Sequence, residues 1–470
     1  MIGAARSSLI FQFIGEALLL TGISALVALV LTQTLLPAFN ELTGKKLSLP
    51  LHDPSFAGTL LVILVATALV AGSYPALFLS SLQPVKVLNG VLKFNWTTTA
   101  LRKGLVVFQF TLSIVLIIGM MVVRQQVDYI QTKNLGYDRD GLIYIPIEGD
   151  LAKNYAIFKE KAGKLTGITD VAKMRNSPTI IEHHTGSIDW PGKDPNLHLF
   201  FADGIVGYDF VRTMKLQLKE GRDFSPLYSS DSAGFLLNET AVNSIGLQHP
   251  VGAILSWGNR RGRVIGVLKD FHFNSLHQAI DPLIVRLDEN WTWGTILVRI
   301  ETGRTQDALK SLEKLCKDLN PKFPFTFQFS DLEFARLYKS ETIVSRLTNG
   351  FAVLAMLISG LGLFGLATFT AAQRTKEIGV RKVLGATSRA IAFLLTGEFL
   401  KIVAIAIVIA FPIAWFIMHK WLQQYAYKTG MSWWMFAGAG LATCFVALLT
   451  VSYQSIRAAL VNPANSLRSE

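Results

Sequence analysis

Residues 347–372 read LTNGFAVLAMLISGLGLFGLATFTAA, 26 positions without one charged side chain. A helix needs about 20 mostly apolar residues to cross a bilayer, so this stretch alone directs the chain into a membrane. Five further charge-free stretches lie around it. Residues 17–38, 57–79 and 105–123 precede it, and residues 402–418 and 431–456 follow. The fifth stretch is the shortest, with Glu398 and Lys401 just ahead of it. The first follows Arg6 but is too long for the apolar core of a signal peptide and lacks a small-residue cleavage site, so it reads as a span.

Composition agrees. Of 470 residues, 51% are hydrophobic and 17% are charged, against about 25% charged in soluble proteins. The net charge of +12 is spread along the chain rather than gathered in one aromatic-laced basic stripe, which argues against a nucleic-acid partner. Cys316 and Cys444 have no disulfide or zinc spacing.

Lys and Arg in the short loops set the orientation. Lys86, Lys93, Arg102 and Lys103 follow the second span; Arg374, Lys376, Arg381, Lys382 and Arg389 follow the fourth; Arg457 and Arg468 close the chain. The opposite loops carry only Lys45 and Lys46, or Lys420 and Lys428. Both termini are then cytoplasmic, and residues 124–346 lie outside. Trp415, Trp421, Trp433 and Trp434 flank the last outer loop, at the headgroup depth that Trp favours.

The fold class is therefore an α-helical polytopic membrane protein with six predicted transmembrane helices and one α+β extracytoplasmic domain. Within that domain, residues 141–147 and 263–271 read as strands and residues 305–319 as a helix. Asn238 stands at the N-cap of a helix over 239–245. Residues 331–346 read as a helix running straight into the fourth span.

Two spans with their flanks occur twice. Ile2, Gly3, Ala4, Phe11, Gly15, Glu16 and Leu18 match Leu384, Gly385, Ala386, Phe393, Gly397, Glu398 and Leu400 at an offset of 382. Ser73, Tyr74, Pro84 and Leu88 match Ser452, Tyr453, Pro463 and Leu467 at an offset of 379. Such repeats commonly make transporter halves that rock against each other. The first copy lacks the preceding span and outer domain of the second, so the chain reads as the C-terminal portion of a longer duplicated protein.

Residues 373–386, QRTKEIGVRKVLGA, closely resemble the cytoplasmic signature of the MacB/FtsX-type ABC permease family. Residues 238–241 (NETA) with Gly246, and residues 264–273 (VIGVLKDFHF) with Ser275 and Leu276, resemble that family's periplasmic domain. Residues 101–110 (LRKGLVVFQF) look like the start of its pre-domain helix. The resemblance implies a partial FtsX-like repeat over 1–90, a transmembrane helix at 101–123, a MacB-like periplasmic core domain over 124–346 and an FtsX-like permease domain over 347–470. It also implies an inner-membrane location, with a cytoplasmic ABC ATPase as partner. ATP-driven closure of that ATPase would move the helices and the periplasmic domain. Family members export peptides, drugs or lipids, move lipoproteins, or regulate cell-wall hydrolases.

The resemblance makes residues 374–386 the ATPase-coupling helix. At about 100° per residue, Val380, Val383 and Leu384 share one face. That face is expected to pack on the membrane helices, leaving Ile378 with Arg374, Lys376, Glu377, Arg381 and Lys382 to dock in the ATPase. The alternative is a basic interfacial helix on anionic headgroups, with membrane lipid as its partner. Gly360, Gly362 and Gly365 allow close helix packing. Glu16 and Glu398 hold equivalent repeat positions near the cytoplasmic surface, where Glu398 pairs readily with Lys401 three residues on. Pro75 and Pro412 are ordinary bends. His183 and His184 have no metal-ligand spacing, and Lys269, Asp270 and His272 read as structural.

Residues 186–193 are no phosphate loop, having one residue too many between the glycines and Asp194 in place of Ser or Thr. There is no nucleophile elbow and no zinc helix. The chain reads as no enzyme, with no catalytic residue, metal or cofactor, and ATP is used by another subunit. Three functions stay open: a transport permease, a mechanotransmitting scaffold acting on a periplasmic partner, or an inactive truncated remnant. A homodimer or a second permease half fits the usual preference for two-fold assemblies.

Overall fold

Every apolar stretch forms part of a long helix. The computed structural model describes residues 6–79 and 96–460. It opens with α1 (Arg6–Thr43), α2 (Pro54–Leu79) and α3 (Trp96–Thr132). The α+β region contributes α4 (Leu151–Ala162), α5 (Phe210–Met214), α6 (Glu239–Ile245), α7 (Thr305–Leu319) and α8 (Ser330–Leu337). Long helices then return as α9 (Lys339–Gln373), α11 (Ser388–Leu422) and α12 (Trp433–Leu460), with the short α10 (Thr375–Val383) between the first two. The chain divides into two compact units. One gathers the chain up to Leu116, Arg346–Ala410 and the chain from Gly440; the other gathers Ile117–Ser345 and Phe411–Ala439.

In the first unit, helices meet through small and hydroxylated residues, as expected where lipid removes the hydrophobic drive between helices. The hydroxyls of Ser113 on α3 and Ser359 on α9 bond at 2.9 Å in a buried site. A Cβ on Gly72 of α2 would stand 2.9 Å from the Ala17 Cβ of α1. The duplication is visible in a helix boundary: α2 and α12 start at Pro54 and Trp433, the offset of 379 found in the sequence. Glu398 and Lys401 lie inside α11, which begins well before residue 402 and continues through Pro412. The α1–α2 linker closes on its own helix, where the Asn40 side chain donates to Leu47 O at 2.7 Å and accepts from Leu47 N–H at 3.0 Å. The repeat matches at residues 2–4, 84, 88, 463 and 467 lie outside the described residues.

The second unit is built on a mixed sheet. Its strands are β1 (Leu142–Pro146), β2 (Ile168–Met174), β3 (His184–Thr185), β4 (Ile188–Asp189), β5 (Phe201–Val206), β6 (Leu218–Gly221), β7 (Phe235–Asn238), β8 (Ile254–Trp257), β9 (Arg260–Leu268), β10 (Leu283–Leu287), β11 (Thr295–Ile300) and β12 (Gln328–Phe329). The spatial order is β12-β1-β11-β2-β5-β10-β7-β9-β8-β4, with β3 beside β5 and β6 beside β9. Only β5–β10 and β7–β9 run parallel. Period-2 alternation divides the core. Ile143, Ile145, Ile296 and Val298 pack under α4 and α7 with Phe158 and Leu312, while Leu142, Tyr144 and Leu297 face a second core with Phe271 and Phe273.

Buried charge is paired. Arg299 on β11 donates to the carbonyls of Asp138, Asp140 and Thr213 at 2.7–2.9 Å. Asp231 is fully buried and accepts from both terminal guanidinium nitrogens of Arg222 at 2.6 Å. Burial pushes its carboxyl upward, but these bonds outweigh burial and hold it below the usual range.

The continuous helix expected over 331–346 is divided. α8 ends at Leu337 and α9 begins at Lys339, because Tyr338 leaves helical geometry at φ −113° and ψ 22°. Its side chain turns into the core and its hydroxyl oxygen accepts the Leu276 N–H at 2.7 Å. The second strand also lies earlier than expected, at Arg260–Leu268 rather than 263–271.

Candidate coupling site

Between α9 and α11 the chain makes two turns, both prescribed locally. α9 ends at Gln373, and Arg374 (φ −97°, ψ 14°) breaks away before α10. α10 closes on Gly385, whose φ of +92° belongs to the left-handed region. The Ala386 N–H reaches back to Arg381 O at 2.9 Å, a Schellman-type closure. Thr387 then caps α11, its hydroxyl accepting the Ala390 N–H at 3.3 Å.

These turns fold α11 back over α10 and decide which face is covered. Ile378 is 9% exposed, packed on Ile391 with Ala386 alongside. Val380, Val383 and Leu384 are 48%, 65% and 80% exposed. This reverses the expected faces. Ile378 is the anchor, and the three-residue apolar strip stands outward with Arg381. Arg381 pairs with Glu377 at 2.7 Å, one turn apart. Arg374 pairs with Glu398 of α11 at 2.8 Å, and that bond pushes the guanidinium pKa upward. Glu398 is thus tied across to α10's entrance rather than along its own helix. The Lys376 side chain lies outside what the structure describes.

Glu16, the repeat equivalent of Glu398, is exposed and accepts from Gln12 at 3.4 Å. The glycines of α9 differ among themselves. A Cβ on Gly360 would stand 3.6 Å from Thr450 Oγ1 and 3.7 Å from Val446 of α12. The Gln109 amide of α3 occupies the place a Gly362 Cβ would take, and nothing described lies within 4 Å of that position at Gly365.

Elsewhere, polar clusters serve the fold. Among the described residues, no group of His, Cys, Asp and Glu is arranged to hold a metal ion. His184 faces Asp281 at 3.4 Å. Asp270 accepts from the Thr240 N–H and hydroxyl at 3.0 and 2.8 Å, securing the first turn of α6. Burial, helped by Lys133, lowers the His272 pKa to about 4. The roles of Ile391, Thr387 and Arg374 went unread in the sequence. Thr387 had a signal, a hydroxyl residue two places beyond a glycine and just ahead of an apolar run.

The sequence matches the FtsX-like permease C-terminal family over residues 349–463, which contains all of this site, and the MacB-like periplasmic core domain over residues 105–314. These two domains are the ones that MacB/FtsX-type ABC permeases carry. Among the described residues, six helices are long and apolar enough to cross a membrane. The macrolide export ATP-binding/permease protein MacB of Aggregatibacter actinomycetemcomitans is 28% identical over 195 residues, covering 38% of this chain and 30% of that protein. MacB 2 of Aeromonas hydrophila subsp. hydrophila is 27% identical over 193 residues, with the same shares. The match therefore spans under a third of these relatives' length. The uncharacterized ABC transporter permease YknZ of Bacillus subtilis (strain 168) is 21% identical over 351 residues, covering 70% of this chain and 85% of that protein. The periplasmic region of MacB from Actinobacillus actinomycetemcomitans aligns with 44% of this permease and 97% of its own chain, at 20% identity and a TM-score of 0.32.

Proposed function

We propose that this permease couples ATP hydrolysis by a cytoplasmic partner ATPase to movement of its helices and core domain, for export or extraction of a substrate. The observation that carries this reading is the outward strip of α10. A short helix, anchored by Ile378 and held by Arg374–Glu398, presents Val380, Val383 and Leu384 beside Arg381. Exposed apolar residues on a basic helix suit a groove on a partner subunit. The Lys and Arg between the second and third spans and over residues 374–389 support a cytoplasmic position for α10 and both termini, and a periplasmic one for residues 124–346.

A second permease half, or a second copy, is the further partner we propose. Ala406 and Ala410 are buried on α11, whereas the repeat-equivalent Ser24 and Ala28 on α1 are exposed. A helix of the type that covers α11 would cover α1.

The test is co-purification with a cytoplasmic ABC ATPase from the same organism, in nanodiscs, with ATP turnover recorded. Val383→Asp with Leu384→Asp should abolish the complex, and Glu16→Gln should not. A complex that survives both the apolar substitutions and charge reversal at Arg381 and Lys382 would mean that α10 serves lipid headgroups instead. ATP-dependent action on a periplasmic protein with no species crossing the bilayer would favour the mechanotransmitting reading over transport.

A further inference from the structure

The linker between α11 and α12, residues 423–432, belongs to the unit that holds the sheet. It is fastened there by its backbone. The Ala426 N–H donates to His277 O at 3.1 Å and the Tyr427 N–H to Leu276 O at 3.3 Å. Gln126 of α3 is fully buried and grips the same strip. Its amide nitrogen donates to Tyr427 O at 3.0 Å, and its amide oxygen accepts the Thr429 N–H at 2.9 Å.

His277 has an arrangement that a neutral ring does not satisfy. Its Nδ1 faces Gln424 O at 3.1 Å and its Nε2 faces Glu341 Oε1 at 3.0 Å. A carbonyl oxygen and a carboxylate are both acceptors. Neutral imidazole has one N–H, so it satisfies one partner and turns a lone pair on the other. Imidazolium donates to both, and one of the two bonds is then charge-assisted at each end. The ring is held in place by Tyr425 of the linker, stacked at 4.1 Å, and lies parallel to Tyr338 at 6.5 Å. The titratable groups facing it are therefore Glu341 on α9, Tyr338 at the α8–α9 break and Tyr425 on the linker. The Glu341 side chain is only 14% exposed, which strengthens its bond to a cation relative to one in open water.

We propose that protonated His277 is a clasp, a positioning residue that fastens the linker of the last two spans to the core domain and to the head of α9, and that opens when the ring loses its proton. Acid outside the membrane then tightens this join and alkali loosens it. The clasp stands whether or not a substrate crosses the bilayer, and its readout is local, so its failure is distinguishable from failure of the permease reading.

The experiment is amide hydrogen exchange on the full chain in nanodiscs. Peptides containing Ala426 and Tyr427 are followed between about pH 5 and pH 8, each rate divided by the intrinsic rate at that pH. In the unsubstituted chain, protection should fall roughly tenfold across the range, the worth of one hydrogen bond to a charged group. Glu341→Gln supplies an amide that can donate to a neutral ring, so its protection should persist at the alkaline end and lose the acid preference. His277→Ala should be poorly protected at both ends. If that variant fails to fold, the comparison with Glu341→Gln decides alone. Protection independent of pH in the unsubstituted chain, or an unchanged pH dependence in Glu341→Gln, overturns the clasp.

Discussion

Truncating Ile378 to Ala tests which face of α10 is anchored, and the expected size follows from the packing. The change removes three carbons from a side chain that is 9% exposed and packed on Ile391 and Ala386. At about 0.8 kcal/mol per buried carbon, the loss is about 2 kcal/mol. That is the low end for such truncations, as suits a site with few neighbours. A loss of about 2 kcal/mol raises the population of opened α10 roughly 30-fold. Arg381 and Lys382 sit in the last turn of α10, so trypsin reads that opening directly. Where reclosing outpaces cleavage, the rate follows the open population. In nanodiscs, Ile378→Ala should accelerate cleavage after Arg381 and Lys382 roughly 30-fold, leaving cleavage in the core domain unchanged. Leu384→Ala, at a position 80% exposed, should leave the rate at the unsubstituted value. Acceleration by Leu384→Ala with none from Ile378→Ala would refute the assignment and restore the opposite face.

Gly360→Leu should destabilise the helices by about 1–3 kcal/mol through overpacking against Thr450 and Val446, whereas Gly365→Leu, with open space around it, should leave the melting temperature unchanged. Asn238→Ala should lower stability by about 2–3 kcal/mol in a thermal melt, because its side-chain oxygen accepts from both the Ala241 and Leu283 N–H groups and its amide donates to Asp281 O. Burial lifts the Asp223 carboxyl to about 6. The folded chain then holds that proton more tightly than the unfolded one, and stability gained in acid is lost as the pH rises through about 6. Asp223→Asn should therefore raise the melting temperature above that point and have little effect near about pH 4, where the unfolded carboxyl titrates.

The membrane helices were legible because their signal, about 20 uncharged residues, is large and needs no partner. The helix over 305–319 and the Asn238 cap were legible for a similar reason, since periodicity and a side-chain cap are local. What failed depended on distant residues. Periodicity separated Ile378 from the Val380–Val383–Leu384 strip, but the Ile391 that covers Ile378 comes from the next helix, beyond Gly385. The break at Tyr338 is set by a hydrogen bond to Leu276, 62 residues away. Glu398 has Lys401 at a good helical spacing, yet Arg374 reaches it across a turn. The face of α10 that matters was thus the part of the site least readable, because coverage by a neighbour carries no local pattern.

The duplicated hairpin gives this permease a built-in control. Its linkers, 44–53 and 423–432, are equal in length and lead into helices that start at matching repeat positions, Pro54 and Trp433. One folds back on its own helix through Asn40; the other borrows its closure from the core domain through Gln126 and His277. A small epitope or fluorophore inserted into the first reports on a hairpin that holds itself together. The same insertion in the second breaks bonds between a linker and a folded domain. One chain thus allows insertion tolerance to be measured for the same motif with and without a docked loop, free of the differences in expression, lipid and detergent that complicate comparisons between separate proteins.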